Sequence, residues 1–206
     1  MIELSSEFES SKAKLADLIF STDAFQYSKE SFTLASGITT HFYFDLKKLN
    51  GNPEGVNTVA KVFYHKIREM KEVKSVGGLE AGSISIATAI SQLSLFENPE
   101  DPINSFYVRK EPKKYGSQKL IEGNIISPVV VVDDVITSGM SAISAVNAVK
   151  EAGFECKCLL SIVFRGTKKD LENIEKNNKF DYIFPEKYFI DRFLEKHPEI
   201  TVNQTV

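Results

Sequence analysis

The sequence predicts an α/β fold in which a mostly parallel sheet is flanked by helices. From residue 74 onward, short apolar segments alternate with segments of helical periodicity, as in chains that build parallel sheets. The segment 129–132 consists of four valines, which is typical of a strand covered on both faces. Polar or glycine-rich residues follow three of the apolar segments, so we expect a ligand site at the carboxyl edge of the sheet.

The elements are predicted in order from their periodicity. The first 70 residues should contain a helix over 5–21, a hairpin over 32–49 around a glycine turn, and a helix over 56–70 with one apolar face. In the alternating part we predict strands within 74–82, 103–110, 128–134, 156–164 and 181–184, and helices over 85–93, 140–153 and 168–178. Gly153 is expected to end the helix that begins at Met140.

Composition restricts the classes of protein that the chain could belong to. Its 206 residues suffice for one domain with a sizeable core, with room for a small subdomain. The net charge of −3 argues against general nucleic-acid binding. Apolar runs stay well short of the roughly 20 residues that span a membrane, and the acidic start does not resemble a secretory signal.

The cysteines and histidines give no indication of a metal site. Cys156 and Cys158 lie two residues apart on one predicted strand, so both should face the same side and pack in the core without forming a disulfide. The three histidines lack the spacing of metal ligands. Two unpaired thiols suit a reducing compartment, so we expect a cytoplasmic protein.

The stretch VVVVDDVITSGMS, residues 129–141, carries the strongest functional signal. Asp133 and Asp134 end a buried strand, and a loop with three hydroxyls and Gly139 leads into a helix. Free N–H groups at a helix start favour phosphate, while adjacent carboxylates suit sugar hydroxyls or hydrated Mg²⁺. A phosphorylated sugar would offer a phosphate to the helix start and hydroxyl groups to the carboxylates. The alternative is that Thr137 or Ser138 only caps the helix and that the aspartates are solvated.

This stretch resembles the phosphoribosyl-pyrophosphate (PRPP) signature of type I phosphoribosyltransferases. The signature identifies the donor and leaves the acceptor base open. A second segment, FYVRKEPKKYGSQKLIEG at 106–123, brings four cations within six residues and is either a solvated basic loop or a lid over pyrophosphate. Its RKEPKKYG resembles the lid of orotate phosphoribosyltransferases. SGITTHFYFDLKK and SIVFRG resemble two further segments of that family, in the same order along the chain.

The resemblance implies a type I phosphoribosyltransferase fold with a small N-terminal α+β hood at 1–50. The core would span 51–206 and carry the lid at about 110–123. The implied reaction transfers 5-phosphoribosyl from PRPP to N1 of orotate, which gives orotidine 5′-monophosphate and pyrophosphate in UMP biosynthesis. Mg²⁺ would be held mainly by PRPP, with a water-mediated contact to Asp133 or Asp134. A homodimer sharing the lid between subunits is also implied, with no nucleic-acid or membrane partner.

The resemblance also implies roles for individual residues. Lys113, Asp133 and Asp134 would be catalytic, and 77–83 would form a small pyrophosphate loop. The expected orotate contacts are Tyr43, Phe44, Thr137 and Arg165. The expected PRPP contacts are Arg109, Lys110, Lys113, Tyr115, Asp133, Asp134, Val135, Ile136, Thr137, Ser138, Gly139, Met140 and Ser141.

Several residues depart from patterns common in the family. Ala35 stands where many members carry lysine, Ala81 stands where some members do, and Phe164 stands where an acidic residue often precedes the arginine. Losing two lysines should weaken donor binding unless the lid compensates. Two other functions therefore stay open, namely a phosphoribosyltransferase for another base such as a purine, and a regulator that senses PRPP without catalysis.

Overall fold

The computed structural model describes residues 2–33, 39–112 and 119–200. The helices in this part of the chain are α1 (Ile2–Ser21), α2 (Leu46–Asn50), α3 (Pro53–Glu69), α4 (Gly82–Glu97), α5 (Met140–Glu151), α6 (Lys168–Glu175) and α7 (Glu186–Lys196). The strands are β1 (Phe25–Thr33), β2 (Thr39–Phe44), β3 (Ser75–Gly77), β4 (Asn104–Val108), β5 (Ile121–Gly123), β6 (Val129–Ile136), β7 (Cys156–Phe164) and β8 (Phe180–Pro185).

Six strands form the central sheet in the order β5-β4-β3-β6-β7-β8. Every neighbouring pair is parallel except β4 and β5, which run antiparallel. The carboxyl ends of β4, β3, β6, β7 and β8 therefore lie along one edge. The predicted α/β fold with a mostly parallel sheet is confirmed, and β5 is a short edge strand that the sequence analysis did not predict.

Strand β6 lies in the middle of this sheet, and its valines supply both hydrophobic cores. Val130 and Val132 pack into the core that also holds residues of α1, α3, α4 and α7. Val129 and Val131 pack into the core beneath α5. All four are fully buried, which confirms the expectation from the unbroken apolar run.

The two cysteines lie on opposite faces of the sheet, so the expectation that they share a face was wrong. Val129 pairs with Cys156 but Val130 pairs with Cys158, which leaves Lys157 as an extra residue in β7. An extra residue of this kind breaks the alternation of side chains. Both thiols are unpaired, and burial raises the pKa of Cys158 to about 12. The predicted core packing of Cys158 is thus confirmed.

The N-terminal part departs in detail from the predicted hairpin over 32–49. The two strands are antiparallel as expected, but β1 begins at Phe25. Residues 46–50, at the end of the predicted hairpin, form the short helix α2 instead. Leu46 and Leu49 lie about one helical turn apart, so both can be buried on the same face. The predicted helices at 5–21 and 56–70 are confirmed as α1 and α3.

Helix α1 is amphipathic and packs against α3. Its fully buried residues Leu15, Ala16 and Ile19 recur with the helical period, whereas Glu9 and Asp17 are exposed to solvent. The apolar face therefore covers the core, and the charged residues lie outside it. Within the described residues, no helix is both long and apolar enough to cross a membrane.

Helix α7, which the sequence analysis did not predict, joins the N-terminal hairpin to the end of the sheet. Phe189 is fully buried, and its ring centroid lies 5.9 Å from that of Phe25, 5.5 Å from Phe44 and 5.1 Å from Phe184. These rings come from β1, β2 and β8. One side chain of α7 therefore holds the hairpin against the core.

We expect Phe189→Ala to destabilise the protein by about 3–5 kcal/mol, because it leaves a cavity where these elements meet. The matched control is Phe96→Ala, the same change at a side chain that is 73% exposed, which should alter stability by about 0.5 kcal/mol or less. Urea unfolding of both variants measures the difference. Equal losses in the two variants would contradict the role of Phe189.

Candidate active site

The predicted carboxylate pair lies at the carboxyl end of β6. Asp133 and Asp134 are both partly buried. The backbone N–H of Asp134 donates to Asp133 Oδ1 at 2.9 Å, and the N–H of Val135 donates to Asp134 Oδ1 at 2.8 Å. These bonds orient both carboxylates at the edge where parallel sheets bind ligands.

The environment of Asp133 disfavours its ionised form. Burial is the main cause and the neighbouring charge of Asp134 the second, and together they raise the pKa of the Asp133 carboxyl group to about 8. A bound cation or a set of hydroxyl donors would favour ionisation. The pair is therefore suited to a ligand that brings positive charge or hydroxyl groups.

The loop after β6 leads directly into α5. Gly139 is the N-cap residue, with a left-handed φ of +79°, and no side chain among the described residues caps the helix there. The alternative that Thr137 or Ser138 serves as the N-cap is therefore wrong. A Cβ at position 139 would lie 2.6 Å from Ile174, so both space and φ require glycine. The first N–H groups of α5 remain available to an anion.

The segment 77–83 passes between β4 and the carboxylate pair. A Cβ at Gly78 would lie 2.1 Å from the carbonyl oxygen of Val132, so only glycine allows this approach. Gly78 O accepts a hydrogen bond from the N–H of Val108 at 2.8 Å. At the other end, a Cβ at Gly82 would lie 3.4 Å from the carboxylate of Asp134. The predicted pyrophosphate loop thus adjoins the predicted ribose site.

The same segment contacts the beginning of the predicted lid. Glu80 Oε1 accepts a hydrogen bond from the N–H of Lys110 at 2.9 Å, a contact that the sequence analysis missed. The N–H of Arg109 donates to Leu120 O at 2.8 Å, which joins the two flanks of segment 110–119. Arg109 and Lys110 border a cavity of about 440 Å³ against α5.

Three residues named in the sequence analysis lie outside the described part of the chain. They are Ala35, Lys113 and Tyr115. Their proposed roles at the donor site therefore stay predictions.

Thr137 and Arg165 are brought together by the pairing of β6 with β7. Ile136 is paired with Phe164, and the N–H of Arg165 donates to Ile136 O at 2.9 Å. A Cβ at Gly166 would lie 2.5 Å from Thr137 O. Two residues that the resemblance assigns to the base therefore lie side by side at the sheet edge.

The side chain of Arg165 is enclosed, with only 5% of it exposed. Its Nη2 lies 3.0 Å from Glu186 Oε1 and 3.4 Å from Phe42 O, and Cζ lies 5.6 Å from the Phe44 ring centroid. Burial lowers the pKa of Arg165 and raises that of Glu186, and each charge partly offsets the effect on the other. Glu186 was not predicted from the sequence, because α7 was not predicted either.

Tyr43 and Phe44 point in opposite directions, as neighbours on a strand do. Tyr43 is 37% exposed, and its ring centroid lies 5.5 Å from that of Phe32. Phe44 is buried and packs in the core. Tyr43 is thus accessible to a ligand, whereas Phe44 reaches the site through its contact with Arg165.

The mostly parallel sheet, the carboxylate pair and the helix start at Gly139 agree with the type I phosphoribosyltransferase class that the sequence motifs indicate. No protein-family model matches the chain. It is 42% identical over 161 residues to orotate phosphoribosyltransferase of Rhodopseudomonas palustris (strain TIE-1), across 75% of this chain and 83% of the relative. It is 38% identical over 168 residues to the Aquifex aeolicus enzyme of that name, across 80% of this chain and 89% of that relative. The chain belongs to the orotate phosphoribosyltransferase family.

Solved structures agree with this assignment. Orotate phosphoribosyltransferase of Mycobacterium tuberculosis in complex with PRPP matches with a TM-score of 0.65 and 25% identity, covering 87% of this chain and 92% of that one. The Aeropyrum pernix enzyme matches with a TM-score of 0.72 over 91% and 99% of the two chains. At 23% identity, the latter bears on the fold alone. The family and fold implied by the sequence motifs are confirmed, while the individual residue roles stay predictions.

We expect Asp133→Asn to stabilise the ligand-free protein at alkaline pH. An acid whose pKa is about 8 in the folded chain and about 4 in the unfolded chain destabilises the fold progressively as pH rises between those values. The variant should therefore melt at a clearly higher temperature than wild type at pH 8.5, for a gain of up to about 5 kcal/mol. This gain should shrink toward pH 5.

Thermal unfolding between pH 5 and pH 9 measures this effect. Glu100→Gln, which neutralises an exposed carboxylate, is the control and should leave the pH dependence unchanged. A constant difference between Asp133→Asn and wild type at every pH would exclude the raised pKa.

Proposed function

We propose that this chain transfers the 5-phosphoribosyl group of PRPP to N1 of orotate, releasing pyrophosphate and orotidine 5′-monophosphate in UMP biosynthesis. The observation that carries the proposal is the carboxylate pair at the end of β6, followed by the uncapped start of α5, in a chain of this family. In the reaction, a bond forms between orotate N1 and ribose C1 while the bond from C1 to the pyrophosphate oxygen breaks, and the N1 proton is released to solvent or pyrophosphate.

The donor would bind along β6 and the loop that follows it. Asp133 and Asp134 would face the ribose hydroxyls, and their charge would stabilise the positive charge that develops on the ring. The loop 135–141 would hold the 5′-phosphate, because its last residues lead into the free N–H groups of α5. The αL conformation of Gly139 supports this assignment.

The leaving group would lie between segment 77–83 and the lid. Arg109, Lys110 and Lys113 would neutralise pyrophosphate, with Lys113 as the main catalytic cation and Tyr115 beside it. The hydrogen bond from Lys110 to Glu80 supports this arrangement, since it joins the lid to segment 77–83. The residue at position 81 is alanine and offers no cation there, so the lid must supply the positive charge.

Mg²⁺ fits the chemistry of this site. Carboxylate oxygens are hard ligands of the kind that Mg²⁺ prefers, and Asp133 or Asp134 would contact it through water. No group of three metal-binding side chains occurs among the described residues, so PRPP itself would supply most ligands. Bound Mg²⁺ would neutralise charge on the departing pyrophosphate.

The base would lie against Thr137, Tyr43 and Arg165. The guanidinium of Arg165 is suited to the carboxylate of orotate, and Phe44 would support it from beneath. The pairing of β6 with β7 supports this proposal because it brings Thr137 and Arg165 together.

We also propose a domain organisation for the chain and its assembly into a homodimer. Residues 1–50 would form a hood over the base, 51–206 the PRPP-binding core, and about 110–123 the lid. A homodimer would share the lid between subunits. The free thiols of Cys156 and Cys158 support a cytoplasmic location.

The direct test is an absorbance assay with PRPP and Mg²⁺ that compares orotate with uracil, hypoxanthine and adenine. We expect loss of the orotate signal that depends on PRPP and Mg²⁺, with no reaction of the other bases. Reaction of another base alone would retain the donor and reject the orotate assignment. PRPP binding without any reaction would favour a regulatory sensor.

We expect the double variant Asp133→Asn, Asp134→Asn to lose activity while it stays folded, because the ribose site loses its charge but keeps its shape. Orotate turnover and circular dichroism measure the two properties. Near-normal turnover would remove the aspartates from the ribose site.

We expect Lys113→Ala to lower kcat far more than PRPP affinity, because a lid cation acts mainly on the leaving group in the transition state. Steady-state kinetics with varied PRPP separates the two effects. An unchanged kcat would show that Lys113 has no catalytic role.

A further inference from the structure

We propose that Glu186 is a positioning residue that limits the positive charge which Arg165 offers to the base. This inference rests on the proposed function, in which Arg165 faces the carboxylate of orotate. Glu186 is the first residue of α7 and belongs to none of the sequence motifs described above. Its role would be to adjust the preference of the pocket for an anionic base.

The contacts around Arg165 support this role. Glu186 Oε1 lies 3.0 Å from Arg165 Nη2, and the two side chains are only 22% and 5% exposed. The guanidinium and the carboxylate form an ion pair, but their relative orientation does not meet the geometry of a hydrogen bond. The Phe44 ring and Phe42 O enclose the guanidinium from the hairpin. Arg165 is thus held by groups from β2 and α7.

The negative charge of Glu186 should weaken the binding of an anionic base to Arg165. Among the described residues, Arg165 Nε is buried and has no hydrogen-bond partner, so the guanidinium retains unused donor capacity. Its charge is nevertheless balanced by the nearby carboxylate of Glu186. An incoming orotate carboxylate must therefore interact with Arg165 while it is repelled by Glu186. Removing that negative charge should strengthen the binding of an anionic base.

The test is Glu186→Gln, which keeps the size of the side chain and an oxygen near Arg165 but removes the charge. We expect the KM for orotate to fall roughly three- to tenfold. The uncharged 6-carboxamide of uracil, used as a competitive inhibitor, should show less than about a twofold change in its inhibition constant. If Glu186 had a purely structural role, the substitution would change the KM for orotate and the inhibition constant of the carboxamide by similar factors.

Two further variants complete the design. Glu186→Asp retains the charge and should keep the wild-type preference for orotate over the carboxamide, whereas Asp191→Asn removes a charge of α7 that pairs with Lys187 and should change neither constant. The inference is overturned if Glu186→Gln leaves the KM for orotate unchanged or raises it, or if the Gln and Asp variants behave alike. Inactivity of the wild type with orotate would instead reject the proposed function.

Discussion

Burial of β6 on both faces positions the remainder of the structure. Its four valines contribute alternately to the two cores, and its neighbours β3 and β7 pair with it in parallel. The helices must then cover both faces, and the carboxyl ends of the strands must share one edge. The polar part of β6 begins where this burial decreases, at Asp133. The strand that organises the core therefore also places the two carboxylates at the candidate site.

Glycines and charges complete the site where packing leaves little space. Gly78 lies against the backbone of β6, and Gly139 turns the chain into α5 at a φ that other residues rarely adopt. Asp133 is held in surroundings that raise its pKa, and Arg165 is enclosed beside Glu186. These groups are costly to bury without a ligand, which is typical of sites that are arranged before the substrate binds.

The sequence predicted features that depend on local order, and it failed where distant contacts decide. The buried valine strand, the strand, loop and helix at 129–141, and helices α1 and α3 follow from periodicity and residue type, and the structure contains each of them. The faces of Cys156 and Cys158 depend on an extra residue in β7 that only strand pairing reveals. The hairpin bounds depend on how the chain after β2 packs against the core. Glu80 and Glu186 have no local signature, because their partners lie 30 and 21 residues away in sequence.

The bond between Arg109 and Leu120 has a consequence for how this family could diversify. It joins the two ends of the segment predicted to be a lid, next to the antiparallel pairing of β4 and β5. Both ends of the segment predicted to be a lid are therefore anchored on the core. Lengthening a loop with fixed ends costs only about 0.6 kcal/mol for each doubling. The length of the segment between Arg109 and Leu120 can therefore change with little effect on the stability of the sheet that carries it.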